Sequence, residues 1–549
     1  MKRLKPPTVA SPRQLRFHPL LLRQQQQSIL RLPPPPTIPL NRSFTTSNAT
    51  YSYQSTNPVD NTPPPPSPSP SPSQPAITTT TPPSQKNVNK TLHHTIATQT
   101  GLYSTLPYSP GSPFFLPHGT RIFNRLIEFL RAQYALYGFQ EVITPTIFND
   151  ALWEKSGHLE NFRDDMFRVF SGKRGVVRRK NLEEEGGEGV GVGLNAGVKG
   201  EGEEEGMYSL KPMNCPGHCL LYKVKGHGYA DLPLRFAEFA PLHRDEIRSA
   251  LTGLTRVRRF HQDDAHIFCR HDQIPAEISS TLSMIETVYS VFGLQNYKFL
   301  LSTRPEKYMG SLSDWERAEE ALKMSLEATG RKWTVNEGDG AFYGPKIDVI
   351  LVDFQGKEHQ TATVQLDFQL PQKFELSYDA AGAGSEDNSG GGSGGGGVKE
   401  TPVIIHRAIF GSLERFMALL IEKYEKRWPF WMSPRQVKVI PVHQKNESIR
   451  NFAERTRDVL AGVVKGDKRQ VMGKRTFYVD LEERNLGLNK SIREAKAAGY
   501  NVIVVIGESE VGSGEVGWDV WEGGKYVKKE AEGVEGVYQK LVQMEAEYQ

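Results

Sequence analysis

Cys215 lies in the run Met213-Asn214-Cys215-Pro216-Gly217-His218, and the side chains able to work with it are far away in the chain. His266 comes 51 residues later and His406 another 140. One thiolate and two imidazoles form a soft-to-borderline donor set that suits Zn²⁺. Three protein ligands leave a fourth position open, as catalytic rather than structural zinc sites do. Spacings this long are not those of a zinc finger, so the fold, not a local loop, has to bring the ligands together. Taken alone, these residues also admit a plainer reading. A lone buried Cys is usually a small hydrophobe, and this is the reading of Cys219 and Cys269. A lone His is usually a satisfied core or surface residue. Cys215-x-x-x-Cys219 looks like half a structural zinc site, but no second pair exists.

The chain has 549 residues, enough for two or three domains with real cores. Three cysteines are too few for a disulfide scaffold and fit a reducing compartment. No run approaches the ~18–20 apolar residues of a membrane helix, so the chain reads as soluble, with no membrane partner. The net charge of +4 is unevenly spread. Residues 1–59 hold no Asp or Glu, and Lys2, Arg3, Lys5, Arg13, Arg16, Arg23, Arg31 and Arg42 make the first 42 residues strongly basic. An acid-poor, Arg-rich, Ser-containing start is the composition of an organellar transit peptide. It is assigned to residues 1–45, with the mitochondrial matrix as destination. Without the leader the balance becomes about −4, so nucleic-acid contacts must come from local basic patches.

Residues 46–91 are rich in Pro, Ser and Thr and read as a disordered, partly polyproline-II linker. Folded structure is expected from Leu92. Gly119–Tyr137 carries Ile122, Leu126, Phe129, Leu130 and Tyr134 on one stripe, a helix pattern. Gly138 stops it, and Phe139–Ile143 reads as a strand ending at Thr144-Pro145. Residues 171–206 and 380–397 are Gly-rich and read as flexible surface insertions. Arg235–Phe239, Leu242–Glu246 and Val257–Phe260 read as strands. Strands before residue 432 are irregularly crossed by helices, which argues a mixed, largely antiparallel sheet. After Pro434 the order changes to strand Val437–Val442, helix Glu447–Leu460, strand Thr476–Leu481, helix Leu488–Ala498 and strand Asn501–Ile506. That alternation predicts a small α/β domain over 435–549, behind a larger domain over 92–432.

Three segments carry a family resemblance. They are Lys211-Pro212-Met213-Asn214-Cys215-Pro216-Gly217-His218, Gln262-Asp263-Asp264-Ala265-His266-Ile267-Phe268, and Gly340-Ala341-Phe342-Tyr343-Gly344-Pro345-Lys346-Ile347-Asp348. In this order they resemble the threonyl-tRNA synthetases, which are class II aminoacyl-tRNA synthetases. The likeness runs from about residue 95 to the C-terminus, less the two insertions. It implies an α/β protein: a class II catalytic domain (α+β, with a mixed, largely antiparallel sheet) followed by an anticodon-binding domain. It also implies ATP-dependent attachment of L-threonine to tRNA(Thr) through a threonyl-adenylate, for organellar protein synthesis, with Mg²⁺ accompanying ATP.

The physical reading of the residues runs beside that likeness. Attack of a carboxylate on the α-phosphorus of ATP builds negative charge, so cations must stand ready there. A guanidinium cannot lose its proton and binds paired oxygens in parallel. The resemblance puts Arg244 on the α-phosphate and carboxylate, Glu246 on the adenine amino group, Arg256 at the γ-phosphate and Phe260 against the adenine face. Arg415, opening a helix after Phe410-Gly411-Ser412, takes the other adenine face, and Lys346 lies near the carboxylate or phosphate. It implies Zn²⁺ on Cys215, His266 and His406, receiving threonine's amino and hydroxyl groups. Asp264 then accepts the hydroxyl proton, and Met213, Gln262, Tyr343 and Gln365 line the pocket. An apolar pocket separates threonine from valine by only ~10²-fold, whereas a site that binds the hydroxyl separates them far better.

Pro145 falls in the segment that pairs subunits in class II enzymes, so a homodimer is implied. Lys490 and Arg493 in Leu488–Arg493 are the implied anticodon contacts, while Glu482-Glu483-Arg484-Asn485 departs from the bacterial pattern. Relatives carry N-terminal domains, one of which clears seryl-tRNA. The leader and linker here leave no room for it, so serine activation is expected. Prolyl- and seryl-type synthetases share the arginines but not the Cys/His set. A non-catalytic RNA-binding relative is expected to lose one of these groups.

Overall fold

The computed structural model describes residues 91–170, 207–352, 356–380, 398–463 and 475–549. The leader, the linker up to residue 90, the insertion 171–206 and all but Ala380 of 380–397 lie outside the described residues. The described chain opens with a helix, Leu92–Thr100.

The larger part is built on an eight-stranded sheet. Its order is Trp333–Asn336, Tyr297–Ser302, Lys346–Val352, Glu358–Asp367, Val403–Ala408, Asp264–Cys269, Leu234–Glu238 and Gln140–Glu141. Only the outermost pairing at each end is parallel; those between are antiparallel. The mixed, largely antiparallel sheet read from the sequence is what forms.

Successive strand residues point to opposite faces, and the central strands use this fully. Ala265, Ile267, Val364, Leu366, Val403 and Ile405 join the main apolar core. That core is completed by helices Pro117–Leu136, Ile274–Val291, Leu312–Ala328 and Leu413–Tyr424. Each buried side chain of this size contributes roughly 1.5–3 kcal/mol. The alternate residues Asp264, His266, Gln365 and His406 are also buried, but they face the other way, toward the helix Cys215–Tyr222. One face of the sheet therefore holds the fold together and the other carries polar chemistry.

The expected amphipathic helix starts two residues early, at Pro117, and its predicted stripe is buried throughout. Phe139–Ile143 yields only the short strand Gln140–Glu141, because it pairs at the sheet edge with just Phe236 and Ala237. Leu242–Glu246 is a strand only over Pro241–His243. Val257–Phe260 shifts to Arg259–His261. In both segments the ladder stops where side chains turn into a cavity described below.

The C-terminal part holds a five-stranded sheet of order Val479–Leu481, Val437–Pro441, Val502–Ile506, Glu515–Glu522, Lys525–Gly533. Its first two pairings are parallel and its last two antiparallel. Helices Glu447–Leu460 and Leu488–Ala498 lie where the sequence places them. The strand expected over Thr476–Leu481 begins only at Val479. Buried Arg125 of the long first-domain helix ties the two parts together, reaching Glu545 at 3.1 Å and the Thr476 carbonyl at 3.2 Å.

Candidate active site

The strand Asp264–Cys269 joins two subsites. Two residues before it, Gln262 borders a cavity of about 220 Å³, lined also by Arg244, Glu246, Arg256, Phe260, Gly411, Ser412 and Arg415. Two turns of the pleat further on, His266 belongs to a buried cluster with Cys215 and His406. Gln262 and His266 are four residues apart, roughly 13 Å along a strand.

The cluster follows from sheet register. His266 and His406 are direct cross-strand partners, and Gln365 is the partner of His406 on its other side. Lys346 pairs with Gln365 one strand further. Lys346, Gln365, His406 and His266 thus form one row across four strands. Cys215 enters from above, at the first position of the helix Cys215–Tyr222. One ligand atom from each of Cys215, His266 and His406 lies within 4.8 Å of the others. Donor atoms this close suit a tetrahedral Zn²⁺, whose bonds run about 2.0–2.3 Å.

The surroundings fit an ion. His406 Nε2 meets Asp367 Oδ2 at 2.8 Å, which leaves Nδ1 free to bind. His266 Nδ1 meets His218 Nδ1 at 2.7 Å, which leaves Nε2. A second ring nitrogen bonded to an acceptor is the usual support of a metal-binding imidazole. In the chain by itself, burial pushes the Cys215 thiol well above its ordinary range, with Asp264 adding to the effect. Burial likewise holds His266 well below the ordinary imidazole range, helped by His406 and His218. A cation among them would reverse the thiol's preference and favour thiolate, while a neutral His266 is already in the ligating form.

The pocket residues stand around this cluster. Asp264 Oδ2 accepts from Asn214 Nδ2 at 3.0 Å. The Tyr343 ring lies 5.1 Å from the His406 ring. Gln365 Nε2 donates to the Gly344 carbonyl at 3.1 Å. Met213 Sδ is 3.2 Å from His158 Nε2. Gln262 instead lines the neighbouring cavity, between the two subsites.

That cavity is rich in guanidinium. Arg244 sits 5.0 Å from the Phe260 ring centroid and 5.5 Å from that of Phe162. Glu246 Oε2 accepts from Arg256 Nε at 2.9 Å, so the two residues expected at opposite ends of ATP hold each other. Arg415 donates to the carbonyls of Thr255 at 3.2 Å and Gln360 at 2.8 Å. Its guanidinium is lowered by burial first and then by the nearby charges of Arg244 and Arg256. Three cations around one hollow attract an anion such as a polyphosphate. Gly411 lets the chain turn there. Its φ is +69°, and a Cβ would stand 2.4 Å from the Thr361 carbonyl oxygen. Lys346 is not on this lining; its ammonium pairs with Asp348 at 2.9 Å and Asp339 at 3.2 Å.

Lys490 and Arg493 are exposed on the helix Leu488–Ala498, and Lys490 reaches Glu494 at 4.0 Å. Glu482 is nearly fully buried and is bound by Arg484 and Lys438.

Several residues of the site carry no motif signal. His158 is fully buried, with Nε2 3.8 Å from the Cys215 thiol, yet in sequence it is a lone His in an irregular stretch. Asp263 accepts from the N–H groups of Ile409 and Phe410 and so fixes the turn that leads to Gly411. Asp367 is legible in principle, because Thr363, Gln365 and Asp367 alternate with the apolar Ala362, Val364 and Leu366.

Residues 198–424 match the tRNA synthetase class II core domain (G, H, P, S and T), and residues 436–535 match an anticodon binding domain. Fold and site thus define a class II aminoacyl-tRNA synthetase. A curated relative from Schizosaccharomyces pombe, whose name places it among mitochondrial threonine--tRNA ligases, is 48% identical over 423 residues, 76% of this chain and 82% of that protein. Arabidopsis thaliana threonine--tRNA ligase, mitochondrial 1, is 42% identical over 444 residues, and the match spans only 54% of that longer protein. A crystal structure described as the RNA binding domain of threonyl-tRNA synthetase from Cryptosporidium parvum superposes with a TM-score of 0.68 at 37% identity, covering 82% of this chain and 98% of that one. The chain belongs to the threonine--tRNA ligase family.

Proposed function

We propose that the chain joins L-threonine to tRNA(Thr) in mitochondria, through a threonyl-adenylate made from ATP as its Mg²⁺ complex. The observation that carries this reading is the continuous segment Gln262–His266, which leads from an arginine-lined cavity to a buried Cys/His/His cluster. A carboxylate oxygen of threonine attacks the α-phosphorus, a phosphoanhydride bond breaks and pyrophosphate leaves. Arg244 orients the carboxylate against the α-phosphate and neutralises the charge that builds there. Arg415 and Phe260 hold the adenine between them. Arg256 exchanges its bond to Glu246 for the γ-phosphate, which frees Glu246 for the adenine amino group. Lys346 stands at the edge of the reacting groups, steadied by Asp339 and Asp348.

Cys215, His266 and His406 would hold Zn²⁺, which supplies a Lewis-acid position for the amino and hydroxyl groups of threonine. Asp264 accepts the hydroxyl proton's hydrogen bond, and Met213, Tyr343 and Gln365 enclose the side chain. Gln262 bridges the two subsites. On the C-terminal domain Lys490 and Arg493 offer exposed cations to the anticodon. The basic start, residues 1–45, serves as the import signal, and residues 46–91 link it to the catalytic domain, 92–432. The working unit is a homodimer: Ile143 is 87% exposed beside Pro145, and Ile147 is also exposed, an apolar edge that a second copy covers.

The test is aminoacylation of tRNA with threonine, valine and serine, before and after removal of metal by a chelator. Threonine should be charged, valine should not, and activity should follow the metal. Threonine charging at full rate by metal-free protein would remove the ion from this reading. Charging with another amino acid in preference to threonine would overturn it altogether.

A further inference from the structure

We propose that His218 is the positioning residue of the ligand His266, fixing which nitrogen of that ring faces the metal. The inference rests on the zinc reading above. His218 follows Cys215 by three residues on the same helix, so the two side chains share a face. One short helix thereby delivers both a ligand and the support of another ligand. His218 is fully buried, and its Nδ1 lies 2.7 Å from His266 Nδ1, with the rings nearly perpendicular at 88°. Two facing nitrogens share one proton, so one ring must donate and the other accept.

The direction is set one step further out. His218 Nε2 lies 3.2 Å from Glu238 Oε2. An ionised carboxylate only accepts, so His218 carries a proton on Nε2, and in its neutral form it presents a bare Nδ1. His266 therefore holds its proton on Nδ1 and points Nε2 at Cys215 and His406. Glu238 is itself pinned. Lys211 Nζ donates to Oε1 at 2.8 Å, the Thr144 N–H to Oε1 at 2.9 Å and the Thr144 hydroxyl to Oε2 at 2.8 Å. Burial pushes this carboxyl up, but the bonds from His218, Lys211 and Thr144 outweigh it and bring it down to about 2. The arrangement differs from that of His406, which meets its carboxylate, Asp367, directly. An imidazole relay replaces the direct contact because Glu238 sits opposite Asp264, one pleat away from His266.

The experiment uses the full-length protein with His218→Leu and His218→Asn. Zinc content is measured by mass spectrometry, and zinc affinity by competition with a chromophoric chelator. Asn keeps a carbonyl oxygen near the position of Nδ1, whereas Leu keeps no acceptor. We expect His218→Leu to bind Zn²⁺ about 10- to 100-fold more weakly, with His218→Asn in between. The KM for threonine should rise in the same order while the KM for ATP stays put. Wild-type zinc affinity in both variants overturns the proposal while leaving the zinc reading intact. Absence of zinc from the active wild type defeats the zinc reading itself. Should His218→Leu fail to fold, His218→Ala, which also keeps no acceptor, takes its place, and affinity within about twofold of wild type there counts against the proposal.

Discussion

His266 and His406 stand directly opposite each other on adjacent antiparallel strands, their ring centroids 4.6 Å apart and the planes inclined at 82°. Cross-strand partners share a face and hold their Cβ atoms about 4.5–5.5 Å apart. The ladder itself therefore sets the spacing of two candidate ligands. A slip of one residue would send one imidazole to the opposite face, where Arg407 lies against the rings of Tyr134 and Phe139.

Substitution of Cys215→Ala or His406→Ala should abolish bound zinc and lower threonine-dependent ATP–pyrophosphate exchange by roughly 10³-fold or more, the kinetic equivalent of about 4 kcal/mol. ATP binding, followed by equilibrium dialysis, should persist, because the arginine-lined cavity contains neither residue. Wild-type exchange in either variant would take the metal out of the reaction.

The same geometry explains what a sequence can and cannot reveal. Cys215, His266 and His406 are readable because each sits in a motif with a recognisable partner set. So are the helices Glu447–Leu460 and Leu488–Ala498, whose apolar period is strong. Arg244 and Arg415 gain meaning only by falling in matched segments; each alone is an ordinary charge. The roles of His158, Asp263, His218 and Glu238 have no local signal, since they depend on contacts made across tens of residues or more. The strand ends near residues 244 and 257 differ from the expected ones for a related reason. There the side chains turn inward to line a cavity, and local pattern cannot tell a strand from an extended wall.

Arg415 should be irreplaceable by lysine. Its Nε and Nη1 each bind a different carbonyl, leaving a flat guanidinium over the cavity beside two other cations. An ammonium has neither the fork nor the plane. Arg415→Ala and Arg415→Lys should both slow exchange by about 10²- to 10³-fold, with the melting temperature moving by only a few degrees. Recovery of full rate in the lysine variant would show that charge alone suffices.

Acid should loosen the core at Glu238. Its carboxyl titrates at about 2 in the folded chain against an ordinary 4.5. A depressed carboxyl contributes stability that is complete above 4.5 and is lost as pH falls toward 2. The full contribution is roughly 3 kcal/mol, since each tenfold change in proton affinity between the folded and unfolded chain is worth about 1.4 kcal/mol. Urea unfolding between pH 6 and pH 3 should show roughly 2 kcal/mol of this loss in the wild type. Glu238→Gln should be less stable at pH 6 and flatter across the interval. An equal slope in both proteins would mean that another group governs the acid response.

Serine should be activated and valine should not. A hydroxyl binds at the cluster whether or not a methyl group stands beside it, so the polar groups of Asp264 and the metal position are satisfied by serine as by threonine. Only the contacts of the methyl with residues such as Tyr343 and Met213 are lost, worth about 1–3 kcal/mol, or 10- to 200-fold. Valine keeps the methyl groups and lacks the oxygen. Burying the site's polar groups against it leaves them without a partner, and discrimination should reach about 10⁴-fold. Exchange assays at equal amino-acid concentrations distinguish these cases directly. Serine at millimolar concentration should give a signal about 10- to 200-fold below that of threonine, and valine none above background. If serine were silent under those conditions, the pocket would have to reject it by more than the missing methyl, and this account of its selectivity would fall.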